Sequence, residues 1–503
     1  MLWRLIVAVF ELAFFLVRGI AVRLTGGGTA RQAIAVTKMK KSVPATVLPA
    51  KARAKTVAYL SRALAHLEVA RGLRETCATR RNTLRFAPTL DGLEERAERL
   101  VSQLRIDARP TPEALARMRR DETLVAMVRE LMEERRGPLA GLLDDADALA
   151  SASYAPIVDY CRQRDIALAS DRTATAVDGD KLFFASIDDP AGLATIVLPV
   201  SFGTEISTWP AIAHEIAHDF FHGVDGLPQQ LRINLNLLTN VSLPRADELR
   251  AGLDIVAERA VAAWMEELFA DAFGTMMLGP AYVHTMMQSF ASPEEPDRAL
   301  AIAHQGEAGA LVYEEHPPGH VRVLAGCQLL GRMGYGKQAD TLEARWRALH
   351  GQPNVLYAAL SDGRWLRFDE GSIVERAAQV GASLHLQGLA CLRGQPLRSI
   401  AGLDFGPREH EQARRIAERF GSSRPVSVKD PRLLVAGAVL ATVAAPEQAA
   451  SIYALARNAI GGIDAPVAEL ALRSDAARFE VGPEAAREAF IASVLLGPPR
   501  CRG

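Results

Sequence analysis

Near the middle of the chain, "HEIAH" (214–218) places two histidines four residues apart, with a glutamate directly after the first. Residues four apart lie on one face of a helix, separated by about 6 Å along its axis. Both His214 and His218 can therefore reach one ion, and Glu215 lies near enough to take a proton from a water molecule beside it. The motif predicts a metal-binding helix. The other interpretation is a core helix that happens to carry two histidines.

The segments around this motif suit such a helix. "KLFFASID" (181–188) and "GLATIVLPVSF" (192–202) are short apolar runs bounded by Asp, Gly and Pro, which predicts two strands before the helix. Thr208, or Ser207 before it, is expected to cap the start of the helix. Gly223 is expected to end it.

A catalytic metal site needs a third ligand from the protein. His222 lies eight residues after His214, about 12 Å along the axis, so we interpret it as a histidine at the helix end. In "WMEELFADAFG", Glu267 and Asp271 share one face of a second helix. Glu267 is the predicted third ligand, and Asp271 is expected to accept the far N–H of a ligand histidine. Glu266 points about 100° away from this face and is the weaker choice.

A later segment, "YEEHPPGHVRV" (313–323), offers hydrogen-bond donors. Its proline pair favours a rigid, extended loop after a helix. The candidate donors to an anionic tetrahedral intermediate are Tyr313, His316, His320 and Arg322. The other interpretation is an ordinary loop that ends at proline and carries surface histidines.

The N-terminal 60 residues combine an apolar run with a basic stretch. Leu5–Val17 is too short for a clean membrane-spanning helix and contains Glu11, and no Asp or Glu follows between Leu12 and Leu67. This pattern favours contact with an anionic membrane surface. The other interpretation is a buried helix followed by a solvated basic face that packs on an acidic domain or partner. Aromatic residues are not interleaved with the basic ones, so nucleic acid is not expected as a partner.

The three motifs together resemble those of a known family. "HEIAH" followed by "ELFAD" resembles the gluzincin metallopeptidases, and "HPPGHVR" is similar to the HPxxxxR element of the CAAX prenyl protease and heat-shock membrane metallopeptidase family. The resemblance covers about residues 195–325. It implies a zincin-like fold with a zinc ion (Zn²⁺), and it implies roles for single residues: His214, His218 and Glu267 as ligands, Glu215 as the base, Asp271 behind a ligand, and His316 and Arg322 as accessory residues.

The chain as a whole predicts a mainly α-helical protein with a small sheet, an α+β fold. Its length of 503 residues exceeds one ordinary core, so several regions are expected. These are an apolar and basic segment (1–60), a helical region (61–150), a zincin-like catalytic domain (151–335) and a mostly helical C-terminal domain (336–503).

Three single elements can be tested directly against a structure. A loop around 224–244 should lead to one helical stretch over 246–278, ending at Gly279-Pro280. "YAALSDGRWLRFDEG" predicts a hairpin that turns at Asp362-Gly363. The apolar segment 432–445 is too short to span a bilayer and predicts a buried helix.

The sequence thus predicts a zinc metalloendopeptidase of the gluzincin type that acts on a peptide or protein substrate. The strand near Ile196–Val200 is expected to pair with the extended substrate, as sheet edges do. The alternative is a non-catalytic zincin-fold sensor or binding module that uses its helical flanks as interaction surfaces. Five scattered cysteines without a CxxC pair indicate a reducing compartment, so we expect a cytoplasmic protein, peripheral at the inner membrane face if residues 1–60 bind lipid.

Overall fold

A computed structural model describes most of the chain between residues 50 and 460. The described ranges are 50–78, 81–106, 111–177, 183–186, 193–237, 253–290, 300–306, 311–314, 316–351 and 354–460. Contacts divide the chain into two units, residues 1–53 and residues 54–503. Only residues 50–53 of the first unit are described, within the opening of a helix. The apolar run predicted to contact a membrane therefore lies outside the described residues.

The second unit begins with helices, as the sequence predicts for residues 61–150. They are α1 (Ala50–Ala78), α2 (Ala87–Ile106), α3 (Pro112–Glu134) and α4 (Ala140–Gln163). The start of α3 is set by Thr111, whose hydroxyl accepts the N–H of Ala114, and by Pro112 in the first turn. Helix α4 runs through residue 150 without a break, and the predicted domain boundary there stays a prediction.

A three-stranded sheet follows these helices. Its strands are β1 (Arg172–Val177), β2 (Phe183–Ser186) and β3 (Leu193–Leu198), in the order β1-β3-β2. The two strands predicted from apolar runs, β2 and β3, are confirmed. The expected substrate-binding strand is wrong, because β3 is the central strand, parallel to β1 on one side and antiparallel to β2 on the other. All six of its residues are buried, so it has no free edge.

Five helices follow this sheet, and the first of them carries the HEIAH motif. They are α5 (Ala211–Gly223), α6 (Leu227–Asn234), α7 (Leu253–Ala263), α8 (Met265–Leu278) and α9 (Pro280–Phe290). Helix α5 ends at Gly223 as predicted, but the predicted cap is wrong. Residues Ile206–Thr208 form a separate 3-10 turn in which the Thr208 hydroxyl donates to the Glu205 carbonyl, and Pro210 occupies the cap position of α5 without a side-chain bond.

Two further predictions in this region need correction. The segment 224–244 is not only a loop, because α6 forms within it. The predicted continuous helix is interrupted at Trp264, so its described part consists of α7 and α8. The Trp264 side chain is fully buried, and its indole N–H donates to the backbone carbonyl of Glu314, which fixes the interruption against a neighbouring segment.

A second, four-stranded sheet has the order β5-β4-β6-β7. Its strands are β4 (Ala301–Gln305), β5 (Leu311–Tyr313), β6 (Val355–Ala359) and β7 (Trp365–Asp369). The predicted hairpin is confirmed: β6 and β7 are antiparallel, and Gly363 in their turn has a φ of 83°, which favours glycine. The sequence did not predict β4 and β5. The segment "HPPG" follows strand β5, whereas the sequence predicted that it follows a helix.

The remaining helices form the C-terminal part of the described chain. They are α10 (Gly319–Arg332), α11 (Gly336–His350), α12 (Glu370–Leu386), α13 (Pro407–Gly421), α14 (Pro431–Ala444) and α15 (Ala449–Ile460). Short 3-10 turns lie at Ala390–Leu392, Leu397–Ser399 and Pro446–Gln448. Helix α14 is the predicted buried helix, and most of its apolar residues are buried.

One apolar core extends from α4 to α15 and includes both faces of the motif helix and most of α8. A smaller cluster joins α1, α2 and α3. The prediction of a mainly helical α+β protein is thus confirmed. In the described part of the chain, every helix is too short or too polar to serve as a bilayer-crossing segment.

Candidate metal centre

Helix α5 brings both motif histidines to one point. Ile216 and Phe220 on this helix are fully buried, which fixes how the helix is turned towards the core. His214 and His218 lie one turn apart, and their Nε2 atoms are 3.1 Å from each other. The side-chain geometry is therefore the one expected from the four-residue spacing.

Helix α8 supplies a carboxylate at the same point. It packs along α5, with the Phe220 ring 5.7 Å from the Phe269 ring. Glu267 places its two carboxylate oxygens 3.4 Å from His214 Nε2 and 3.5 Å from His218 Nε2. One ligand atom from each of these three residues lies within 4.8 Å of the other two. The structure thus brings together the three predicted ligands, although their binding of a metal stays a prediction.

These three side chains suit a divalent metal ion. Two imidazole nitrogens and one carboxylate oxygen are a donor set of catalytic zinc sites, which keep a fourth position open. The side chains of His214, His218 and Glu267 are only 9%, 13% and 12% exposed, respectively. Among the described residues, no other group of His, Cys, Asp and Glu side chains is arranged to hold an ion. The residues therefore fit the zinc ion that the sequence predicts.

Three buried residues, which we call the inner partners, lie on the far side of His214: Asp271 and Tyr282, which contact its Nδ1 atom, and Arg322, which contacts Asp271. His214 Nδ1 lies 3.2 Å from Asp271 Oδ1 and 3.1 Å from the Tyr282 hydroxyl. The Tyr282 hydroxyl also donates to Asp271 Oδ1 over 2.8 Å. Arg322 donates to the two Asp271 oxygens over 2.6 and 2.7 Å. Asp271 thus lies where the sequence predicts it, behind His214, which is a predicted ligand.

Close packing positions the inner partners. A Cβ atom at Gly274 would lie only 2.3 Å from the Tyr282 ring, so glycine at this position lets the ring approach α8. The Arg322 guanidinium lies 4.8 Å from the centre of the Phe290 ring and is held there by a cation–π contact. Its Nη1 atom lies 3.3 Å from Glu267 Oε2, while its other two nitrogens face Asp271. Arg322 therefore pairs with carboxylates and is not a free donor.

The charges around His214 favour a cation at the centre. Burial would raise the pKa of Asp271 and Glu267, but the Arg322 charge and the interactions with His214 together outweigh it. The pKa of Asp271 falls to about 2, and the pKa of Glu267 falls well below its usual value. Burial would lower the pKa of His214, yet hydrogen bonds to Asp271 and Glu267 raise it to about 10 in the metal-free protein. Both carboxylates are therefore ionised at neutral pH.

Two further residues, which we call the outer pair, lie on the other side of His218: Glu266 and His222. Glu266 Oε1 is 3.0 Å from His218 Nδ1 and 2.7 Å from His222 Nε2. Both side chains of the outer pair are about one-third exposed. Burial would raise the pKa of Glu266, but the hydrogen bonds from the two histidines lower it to about 2.

Glu215 follows the first ligand on α5 and is 7% exposed. Burial raises the pKa of its carboxyl group above the ordinary value, although the neighbouring His214 and His218 act in the opposite direction. A raised pKa increases the basicity of the carboxylate, and a stronger base takes a proton from water more readily. Glu215 therefore lies in a buried site between the two histidines, and its role as a base stays a prediction.

The structure brings only some of the other predicted donors to the centre. His316 is 40% exposed, and its Nε2 atom lies 3.5 Å from Glu267 Oε1. The Tyr313 hydroxyl is buried and has no hydrogen-bond partner among the described residues, and burial raises its pKa to about 12. His320 points elsewhere: its Nδ1 accepts the indole N–H of Trp346, and its Nε2 lies 3.2 Å from Glu370.

Sequence reasoning missed three residues of this site. Tyr282 lies beyond the Gly279 turn on another helix, and no spacing rule connects it to Asp271. Glu266 was considered only as a weaker ligand, and His222 only as a helix-end residue. The i, i+4, i+8 spacing of the three histidines on α5 was the available signal, because it places His222 one turn beyond His218.

Comparisons with known proteins give no match. No family model, no curated protein and no solved structure matches this chain. The resemblance to gluzincin metallopeptidases therefore depends on the three motifs alone, and the assignment of zinc depends on those motifs and on the geometry of the centre.

Proposed function

We propose that this protein is a zinc-dependent endopeptidase with a zincin-like core, in which α5 and α8 hold the ion. The observation that carries the proposal is the convergence of His214, His218 and Glu267 beside the buried carboxyl group of Glu215. A buried metal-binding set with a base next to it is the arrangement needed for hydrolysis.

Each residue of the site has a separate role in the proposed reaction. When bound, a zinc ion lowers the pKa of a water molecule towards 7 and polarises a carbonyl group. Glu215 takes the proton of the attacking water and gives it to the leaving amine. His316 is half-buried and lies beside Glu267, so it can donate to the oxygen that becomes negative. Arg322 and Asp271 hold Glu267 and His214 in place.

The substrate of this reaction is a peptide or protein in an extended conformation. The edge strand proposed to pair with it is β2, because β3 is enclosed on both sides. Strand β2 packs against the motif helix and has β3 as its one strand neighbour among the described residues. Backbone pairing along β2 would place a peptide bond next to α5.

The Glu215→Gln variant tests the catalytic role directly. Gln keeps the size of the side chain but cannot take a proton, so we expect the rate of peptide cleavage to fall by about 10²–10⁴-fold. Zinc content, measured by elemental analysis, should stay at one ion per chain because Glu215 is not a ligand. Cleavage is measured on a library of unstructured peptides, with the products identified by mass spectrometry.

A matched control is Glu343→Gln, since Glu343 lies on α11 in a partly exposed pair with Arg347. This variant should cleave as the wild type does. If the wild-type protein binds zinc but cleaves no peptide in the library, and if Glu215→Gln retains the biological effect of the chain, the protein is a sensor or binding module. That outcome would replace the proposed peptidase function.

The expected cytoplasmic location and the membrane contact through residues 1–60 stay predictions. Flotation with vesicles that contain anionic lipid, with and without these residues, measures the membrane contact. Equal flotation of the two proteins would contradict it.

A further inference from the structure

To bind one ion, both motif histidines must be oriented with Nε2 towards it. The residues that contact the other ring nitrogen, Nδ1, differ between the two histidines. His214 is held by Asp271, which the sequence predicts as its partner. For His218, the described residue at hydrogen-bond distance from its far nitrogen is Glu266, with Oε1 at 3.0 Å. A ligand histidine normally donates this N–H to a carboxylate or carbonyl group, which fixes its tautomer and ring orientation.

Glu266 meets the geometric requirements for this role. It precedes Glu267 on α8, so its side chain leaves the helix at a different angle and reaches the outer side of His218 while Glu267 reaches the inner side. Its Oε1 atom lies 3.0 Å from His218 Nδ1, which is the distance of a hydrogen bond that the imidazole N–H donates to a carboxylate.

His222 in turn holds Glu266. Its Nε2 atom donates to the same oxygen, Oε1, over 2.7 Å. Both members of the outer pair are about one-third exposed, so without this bond the Glu266 side chain could rotate into solvent. The third histidine of α5 therefore has a function that does not require it to reach the ion.

We propose that Glu266 is a positioning residue that holds the Nε2 atom of His218 towards the zinc ion, and that His222 acts only through Glu266. The proposal rests on the metal-binding part of the proposed function. It is independent of whether the bound zinc hydrolyses a substrate.

Zinc affinity of the full-length protein tests the proposal by competition with a chromophoric chelator. We expect Glu266→Ala to raise the Kd for zinc by about 10–100-fold, the usual effect of removing such a partner. His222→Ala should raise it by less than about tenfold. In the double variant the Kd should equal that of Glu266→Ala, because His222 has no independent effect. Glu266→Gln, which can still accept the hydrogen bond, should recover part of the affinity.

Cobalt substitution gives a second measurement that a general loss of stability would not change. The visible absorption of bound Co²⁺ reports ligand geometry, so Glu266→Ala should alter the spectrum of the loaded protein. The matched control is Glu370→Gln, because Glu370 also faces a histidine, His320, at 3.2 Å, and its other ion pair is with Arg347 and not with a predicted ligand. This variant should leave zinc affinity and the cobalt spectrum unchanged.

Several results would overturn the proposal. One is an unchanged Kd for zinc in Glu266→Ala, and another is a double variant that is weaker than Glu266→Ala alone. A wild-type protein that binds no zinc would overturn both this proposal and the proposed function. A protein that binds zinc with the expected ranking of variants but cleaves no peptide would contradict only the peptidase function.

Discussion

The inner partners and the outer pair each include a carboxylate that contacts the Nδ1 atom of one motif histidine, but the inner partners are buried and the outer pair is partly exposed. Asp271, Tyr282 and Arg322 are almost fully buried behind His214. Glu266 and His222 are about one-third exposed behind His218. The distances from the Nδ1 atoms of the two histidines to the carboxylates of Asp271 and Glu266 are nevertheless similar, at 3.2 and 3.0 Å.

The difference in burial separates two effects of residues that contact a predicted metal ligand: the effect on folding and the effect on metal binding. Charges buried away from water are costly unless each has a partner, so the inner partners should affect folding as well as the proposed binding of a metal. Exposed ion pairs contribute little to stability because water screens them and their side chains lose entropy on pairing. The outer pair should therefore matter for the ion and hardly at all for folding.

The largest effect should come from Asp271→Ala in the metal-free protein. The variant leaves the buried Arg322 guanidinium without its two closest acceptors, so we expect a loss of about 3–5 kcal/mol in the free energy of unfolding. Urea unfolding in the presence of a chelator measures it. The matched variant on the outer side, Glu266→Ala, should lose less than about 1 kcal/mol. Equal losses in the two variants would erase the distinction between the inner partners and the outer pair.

Removal of zinc should have a comparable effect that depends on pH. Free zinc at 1,000 times its Kd stabilises the native state by about 4 kcal/mol. In the metal-free protein the pKa of His214 is raised to about 10 from an unfolded value of 6.5. The stability that its proton gives is therefore complete below pH 6.5 and is lost as the pH rises towards 10.

Zinc competes with that proton, so the increase in Tm on adding zinc should be larger at pH 8.5 than at pH 6.5. Differential scanning calorimetry with and without chelator measures the increase at both values. The control is His214→Ala, in which zinc should produce a much smaller increase. A zinc effect that decreases as the pH rises would contradict the assignment of His214 as a ligand.

Residue spacing predicted the contacts of the centre that depend on the geometry of a single helix. It did not predict the contacts that depend on how two helices pack against each other. His214 with His218, and Glu267 with Asp271, are each four apart, and helical geometry alone places each pair on one face. The contact between Glu266 and His218 depends on how α8 is turned against α5, where the Phe220 and Phe269 rings pack together. Local patterns carry no information on such contacts between helices.

The same distinction explains the errors in the fold. The hairpin at Asp362-Gly363 was predictable because its turn residues are local. The enclosed position of β3 was not, because the neighbouring strand β1 lies about 20 residues earlier in the chain. Thr208 is a residue type that often caps a helix, but here its hydroxyl donates a hydrogen bond to the backbone carbonyl of Glu205 instead.

A smaller effect is expected from Gly274→Ala, which disturbs the inner partners without removing a charge. The added methyl group would meet the Tyr282 ring at 2.3 Å, so the ring must move away from Asp271. We expect a loss of about 1–3 kcal/mol from overpacking, measured by urea unfolding, and weaker zinc binding. Gly336→Ala is the control, because no atom lies within 4 Å of a Cβ there. Unchanged zinc affinity in Gly274→Ala would show that Tyr282 does not support His214.

The smallest effect should come from His222→Ala, measured on folding alone. Its one hydrogen bond, to Glu266, is partly exposed, so the metal-free free energy of unfolding should stay within about 0.5 kcal/mol of the wild type. Raising the salt concentration should reduce even this difference, because salt screens exposed charges more than buried ones. Urea unfolding at 0.05 and 0.5 M salt, with chelator present, measures both quantities. A loss above about 2 kcal/mol would mean that the outer pair stabilises the fold as the inner partners do, and the separation of the two roles would then be wrong.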